Sequence, residues 1–242
     1  MQPSTPAVPD DFGQRCGALT VRQACLPAGV DPIEQDRLDG IVRRRRMLAP
    51  GDRLFRVGDP MHGLFVSRSG ALKASTVSRD GSEQILAFHL PGELIGLDGL
   101  GHDRHRCDVV ALEDAEVCEL GFADLIDAAR GLPRLRAQLH RVVGHSIGRD
   151  ADHAAMLTRK LAHERLAAFL ADLFDRHCLL GRESTRLRLP MSREDIARFL
   201  GLTLESVSRS IGRLQDLGLI RARGRQVEIV DPAELGGIAG RH

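Results

Sequence analysis

Apolar and polar positions divide the chain into three stretches with different periods. Residues 1–30 have no period, and Pro3, Pro6, Pro9 and Pro27 interrupt any long element. In residues 31–46 (DPIEQDRLDGIVRRRR), Ile33, Leu38 and Ile41 recur on one side behind Pro32, which predicts a short helix. From about residue 47 to residue 120 the runs RLFRVGD, GLFVSRSG, ALKASTVSRDG, EQILAFHLPGE and DVVALEDAEVCEL are short and alternating. Gly51, Gly58, Gly63, Gly70, Gly81 and Gly92 punctuate them. Short strands with regular turn signals predict a sandwich or roll. Asp80-Gly81 supplies a hairpin turn, because this pair tolerates positive φ.

From Gly121 onward the pattern is helical. Residues 123–129 form a short predicted helix, and a long one runs from Pro133 to about Leu157. Its apolar positions Leu135, Leu139, Val142, Val143, Ile147, Ala151, Ala154 and Leu157 follow three- and four-residue spacing, with exposed charge expected at Arg141, Arg149, Asp150 and Asp152. Such a stripe either packs on its own roll or forms a dimer seam. Residues 161–178 are a further amphipathic helix.

The strongest local signal is PMSREDIARFLGLTLESVSRSIGRLQDLGLIRARGRQVEIV. Ser192 can cap a helix, with Asp195 in a box-like position, and Ile196, Ala197 and Leu200 supply its buried face. Gly201 ends it. Thr203 caps a second helix, 204–217, closed by Gly218. Residues 220–223 and 226–230 alternate as a wing around Gly224. Two helices joined by a short glycine-containing turn fit a helix-turn-helix. On the second helix Val207, Ile211 and Leu214 share the apolar side, and Glu205, Ser208, Arg209 and Gly212 the opposite one. The N-terminal end of such a helix reaches base edges in the major groove. An arginine there pairs with guanine, and a glutamate accepts from a cytosine amino group. Arg213, Arg221, Arg223 and Arg225 suit phosphate contacts. A solvated face on a purely structural winged helix is the plainer alternative.

Composition narrows this only in part. Hydrophobic residues make up 43% and charged residues 28%, and either half can bury a core. With 3% aromatics and neither Trp nor Tyr, the cores must be Leu, Val, Ile, Ala and Phe. A net charge of +1 is uninformative, although residues 191–230 hold seven Arg against five acidic residues. No apolar run approaches the roughly 18 residues of a transmembrane helix. The Pro-rich residues 1–11 lack the apolar core of a signal peptide, so a cytoplasmic location is expected. Five cysteines, Cys16, Cys25, Cys107, Cys118 and Cys178, are an odd set that does not suggest a disulfide framework. Inert thiols, redox sensing and metal ligation stay open.

The run Glu205, Ser206, Val207, Ser208, Arg209 has the form E-x-x-S-R. With residues 64–70, 81–89, 92–96 and 164–170 (ERLAAFL), it makes the chain from about Cys16 to Val230 resemble the Crp/Fnr family of bacterial regulators. The likeness is strongest to the Fnr branch, the oxygen-responsive regulators of fumarate and nitrate reduction. The resemblance implies an α+β fold. A cysteine-containing segment (1–30) precedes a double-stranded β-helix of the cyclic-nucleotide-binding jelly-roll type (31–132). A dimerisation helix (133–159) and a winged helix-turn-helix (160–242) follow. It further implies a homodimer reading a TTGAT-N4-ATCAA palindrome on double-stranded DNA. The DNA-contacting set would be Thr203, Glu205, Ser206, Ser208, Arg209 and Arg213. Val143, Ile147, Asp150 and Ala154 would line the dimer seam, where an Asp facing its symmetry mate poises the monomer–dimer balance. The tip 78–82 resembles the family's loop for RNA polymerase; a solvated turn is the alternative.

The resemblance also bears on the ligand. Family members that bind a cyclic nucleotide carry a ribose glutamate, replaced here by Leu97, and an Arg-Ser pair, replaced by Arg106-Cys107, so a cyclic nucleotide is not expected. Fnr-type members bind a [4Fe–4S] cluster. Cys16, Cys25 and Cys118 match three of the four ligands, and Leu19 stands where the fourth belongs. Asp10, Asp11 or Cys107 could replace it. The alternatives are haem or nitric-oxide sensing, for which none of the ten histidines stands out, a direct thiol sensor, and a regulator without ligand. A cupin-type metalloenzyme would need clustered inner-strand histidines. His102 and His105 sit instead with Asp103 in what reads as a solvated turn. There is no P-loop, G-x-S-x-G or H-E-x-x-H, and an enzyme is not expected.

Overall fold

The computed structural model describes residues 34, 40–159, 161–180 and 184–240. Eight strands open the described chain: β1 (Val42–Leu48), β2 (Arg53–Phe55), β3 (Gly63–Ser69), β4 (Leu72–Val77), β5 (Glu83–His89), β6 (Leu94–Ile95), β7 (Asp108–Ala111) and β8 (Ala115–Gly121). They form two antiparallel four-stranded sheets, ordered β1-β8-β3-β6 and β2-β7-β4-β5. Alternation sends Leu54, Phe65, Leu72, Ile95, Val109 and Val117 from both sheets into one shared core. The jelly roll expected from the sequence is therefore present. Gly70, between β3 and β4, has φ +71°, and a Cβ there would lie 2.3 Å from the Asp114 carbonyl oxygen. No side chain fits that crossing.

The outer face of the first sheet is covered by α1 (Phe122–Gly131) and the first half of α2 (Pro133–Leu157). Leu64, Val66, Leu94 and Leu120 pack there against Leu125, Leu135 and Leu139. The outer face of the second sheet meets the C-terminal domain. That domain holds α3 (Ala162–Leu179), β9 (Arg186–Arg188), α4 (Arg193–Leu200), α5 (Leu204–Asp216), β10 (Ile220–Arg223), β11 (Gln226–Ile229) and α6 (Pro232–Ile238). Ile85 and Phe88 of β5 join its core, in contact with Phe169 and Phe199. They reach it through a bulge: Ala74 pairs with Ala87 but Ser75 with Ile85, which leaves Leu86 extra.

One expectation fails. The helix over 31–46 does not extend through the arginine run, because Val42–Leu48 is a strand paired with β8. Arg43 bonds Asp124 and Arg46 bonds the Leu54 carbonyl, partners from distant and neighbouring segments that local periodicity does not reveal. Residues 35–39 lie outside the described residues.

Candidate nucleic-acid interface and sensor roll

The reading unit is built by local hydrogen bonds. Ser192 Oγ accepts from the Asp195 N–H at 3.0 Å, and Asp195 Oδ2 accepts from the Ser192 N–H at 3.1 Å, a reciprocal box that starts α4. Gly201 at φ +61° stops it in the left-handed region. Thr203 Oγ1 accepts from the Ser206 N–H at 3.1 Å and donates to Ser206 Oγ at 2.9 Å, opening α5. Val207, Ser210 and Leu214 are the buried side of α5, with Ser210 Oγ donating to the Ser206 carbonyl at 2.7 Å.

The opposite side of α5 faces solvent. The side chains of Glu205 and Arg209 are 76% and 70% exposed and 3.4 Å apart. An exposed i,i+4 pair is worth a few tenths of a kcal/mol, so either member can exchange the other for a base. Ser208 is half-buried beside them and Arg213 is exposed one turn on. The hydroxyls of Thr203 and Ser206 are engaged in the cap, so they shape the helix start. Periodicity does not mark Leu204, which is 50% exposed at the first position of α5, where an apolar side chain can meet a thymine methyl. In the wing, Arg221 lies 3.5 Å from Glu228, Arg223 is exposed, and Arg225 donates to the Pro190 carbonyl at 3.2 Å.

The long helix behaves differently in its two halves. Leu135 and Leu139 are buried, and Val142 and Val143 pack half-buried on the roll. Beyond them Ile147 is 64% exposed, and Asp150, Ala151 and Ala154 are exposed. Arg149, expected to be solvated, is instead half-buried against Glu93 at 3.5 Å.

Comparison with known proteins gives the same two-part reading. A family profile described as a Crp-like helix-turn-helix domain matches residues 164–238, and one described as a cyclic nucleotide-binding domain matches residues 45–130. The transcriptional activator protein Anr of Pseudomonas protegens is 42% identical over 225 residues, covering 93% of this chain and 92% of its own. The chain belongs to the Crp/Fnr family. The fumarate and nitrate reduction regulatory protein of Vibrio cholerae is 38% identical, over 93% of this chain and 90% of its own. The solved structure of FixK2 from Bradyrhizobium japonicum superposes with a TM-score of 0.72 at 30% identity, covering 81% of this chain and 96% of that one. The chain is thus a DNA-binding transcriptional regulator of the Crp/Fnr type, a family of regulators and not of enzymes.

Its roll carries the family's cyclic-nucleotide-binding fold, and one buried carboxylate of that roll is held by the reading domain. Both carboxylate oxygens of the buried Glu93 are engaged from within the chain. Arg176 Nε and Nη2 each donate to it at 2.8 Å, and the Leu90 N–H donates at 3.1 Å. Burial works against its charge, but Arg176 and Arg149 outweigh burial and hold its pKa below the usual carboxylate range. Arg106 is exposed, and its N–H donates to Asp98 at 2.6 Å.

Among the expected metal ligands, Cys16 and Cys25 lie outside the described residues. Cys118 is 3% exposed on β8, opposite Val66 and on the same strand face as Leu120, under the helices. Cys107 faces the other way, into the core between the sheets with Val109 and Val117. Burial, reinforced by Asp98, pushes its thiol up to about 12. Cys107 therefore does not join Cys118 in one ligand set. His105 also departs from expectation. It is buried and stacked on Phe55 at 3.6 Å rather than solvated. Among the described residues no group of three His, Cys, Asp or Glu can hold a metal ion, and no helix is long and apolar enough to cross a membrane.

Proposed function

We propose that two copies of this chain pair along α2 and read a TTGAT-N4-ATCAA-type palindrome, one half-site each, under the control of oxygen or redox state. The observation that carries this is the exposed Glu205–Arg209 face at the capped start of a helix whose other side is buried. Arg209 suits guanine, Glu205 a cytosine amino group, and Ser208 either a base or a phosphate. Pairing along α2 is supported by the exposed Ile147, Ala151 and Ala154, at four- and three-residue spacing on a 25-residue helix. Asp150 on the same surface would meet its symmetry mate and oppose pairing, which leaves the dimer responsive to a ligand. The exposed tip around Arg79, Asp80 and Gly81 suits contact with RNA polymerase.

The redox response rests on Cys118, with Cys16 and Cys25, and on relatives named for fumarate and nitrate reduction. Ile41 and Val42 pack on the sheet face that carries Cys118. A [4Fe–4S] cluster held there supplies an oxygen-labile centre. With Cys107 in the core between the sheets, we assign the fourth donor to Asp10 or Asp11.

The test is protein purified without oxygen, with absorbance, iron and sulfide counts, and palindrome binding before and after air. A brown protein that loses palindrome binding in air supports the reading. Cys118→Ala is expected to abolish the response to air while leaving the fold intact. A Soret band would replace the cluster by haem. A colourless protein whose binding ignores oxygen would overturn the redox reading, and one that ignores the palindrome would overturn the DNA reading.

A further inference from the structure

Three parts of the chain meet at one carboxylate. Glu93 lies on the roll between β5 and β6. Arg176, on α3 of the reading domain, crosses to it with two 2.8 Å hydrogen bonds, and its Nη2 also donates to the Phe88 carbonyl at 2.6 Å. Arg149, from the exposed half of α2, approaches the same carboxylate at 3.5 Å. The reading domain is held at a second place by Lys73, whose Nζ lies 2.8 Å from Asp195, and by Glu83, which pairs with Arg198. His153 of α2 stacks on Phe199 of α4 at 3.9 Å and 4°, with Nε2 2.9 Å from the Phe199 carbonyl oxygen.

The geometry points to Glu93 as a positioning residue for DNA reading: through Arg176 and Arg149 it fixes the reading domain relative to the seam helix, and so sets the half-site spacing that a dimer accepts. This rests on the reading that two copies bind a palindrome. A forked guanidinium–carboxylate pair is directional, and rotating the domain away would take from Glu93 both of its 2.8 Å bonds and leave it only the looser approach of Arg149. Two reading helices must enter major grooves about 34 Å apart. A domain that pivoted about the short link between α2 and α3 would meet grooves at several separations. A domain clamped to α2 meets them at one.

The experiment uses the full-length protein and duplexes that carry the palindrome with its four-base-pair spacer or with spacers one and two base pairs longer. Each half-site base pair is also substituted in turn. The wild type is expected to prefer one spacer. Glu93→Gln and Arg176→Gln are expected to lower that preference at least about fivefold, while the order of base preferences within a half-site stays as it was. Arg176→Lys, which keeps the charge but not the fork, should retain part of the preference. Arg149→Gln touches only a half-buried partner and serves if the buried variants do not fold; it should flatten the preference to a lesser degree. A purely structural role would lower melting temperature and affinity together and leave the spacer ratio unchanged. An unchanged ratio in folded Glu93→Gln, or in Arg149→Gln where that variant stands alone, overturns the proposal. A wild type that binds no palindrome would overturn the underlying DNA reading first, and the positioning role with it.

Discussion

Arg209→Ala separates reading from folding, because the side chain does nothing visible for the fold. It is 70% exposed, and its ion pair with Glu205 at 3.4 Å, the one it makes among the described residues, is equally open to water. Losing such a pair costs about 0.3–0.5 kcal/mol, and alanine is at least as good a helix former as arginine. The melting transition is therefore expected to move by no more than roughly 0.5 kcal/mol of stability. A bidentate contact to one guanine contributes about 1–3 kcal/mol of discrimination, which is about 5- to 150-fold. The assay is competition binding of the dimer to the palindrome and to versions with each half-site base pair replaced. Salt must be held fixed, because phosphate contacts make affinity strongly salt-dependent. Preference should relax at one half-site position and persist at the others. An equal loss on every duplex, with the slope of log K against log salt reduced by about one, would make Arg209 a phosphate contact and refute the readout.

On the other face of the same helix, Leu214→Ala should cost about 2–5 kcal/mol of stability, since Leu214 is fully buried; a denaturation midpoint unchanged from wild type would contradict that packing. Ile147→Glu places a charge on the proposed seam and should shift the protein toward monomer in sedimentation, with no matching change in thermal stability. Burial pushes the pKa of His89, whose Nδ1 is buried without a hydrogen-bond partner, down to about 4, with Glu93 opposing and Arg176 and Arg149 reinforcing the shift. As pH falls below 6.5 the unfolded chain takes up this proton before the folded one does, so stability present above pH 6.5 should drain away toward pH 4, by roughly 3 kcal/mol in all. Denaturation midpoints of wild type and His89→Leu that fall in parallel between pH 6.5 and 4.5 would show that His89 is not responsible.

How much of this was legible in the sequence follows the range of the interactions. The reading unit was legible almost residue by residue, because Ser192, Asp195, Gly201 and Thr203 act within three or four positions of themselves. The roll was legible as strands between glycines. The arginine-rich β1 was not, since β8 supplies its partner from seventy or so positions away. The three-residue β9 was missed too: it is too short for alternation to register and takes its pairing from β11. As letters Cys107 and Cys118 are equivalent, and only the fold separates them: Cys107, beside β7 of the second sheet, enters the core between the sheets, and Cys118, on β8 of the first, faces the helices.

Arg176 is the sharpest case of what a local reading misses. In the sequence it is a charged residue four positions after Asp172 on an amphipathic helix, the usual mark of a solvated ion pair. The structure half-buries it and engages the guanidinium with Glu93 and the Phe88 carbonyl as well as with Asp172. Glu93 in turn sits in the Gly92–Gly96 run, four positions before Leu97, and its carboxylate is taken by the chain's own arginine. The same carboxylate joins the roll to α3 through Arg176 and to α2 through Arg149. On the proposed function, sensing at the face of Cys118 and reading at Arg209 would need no contact with each other, because the two domains share the Glu93–Arg176 pair.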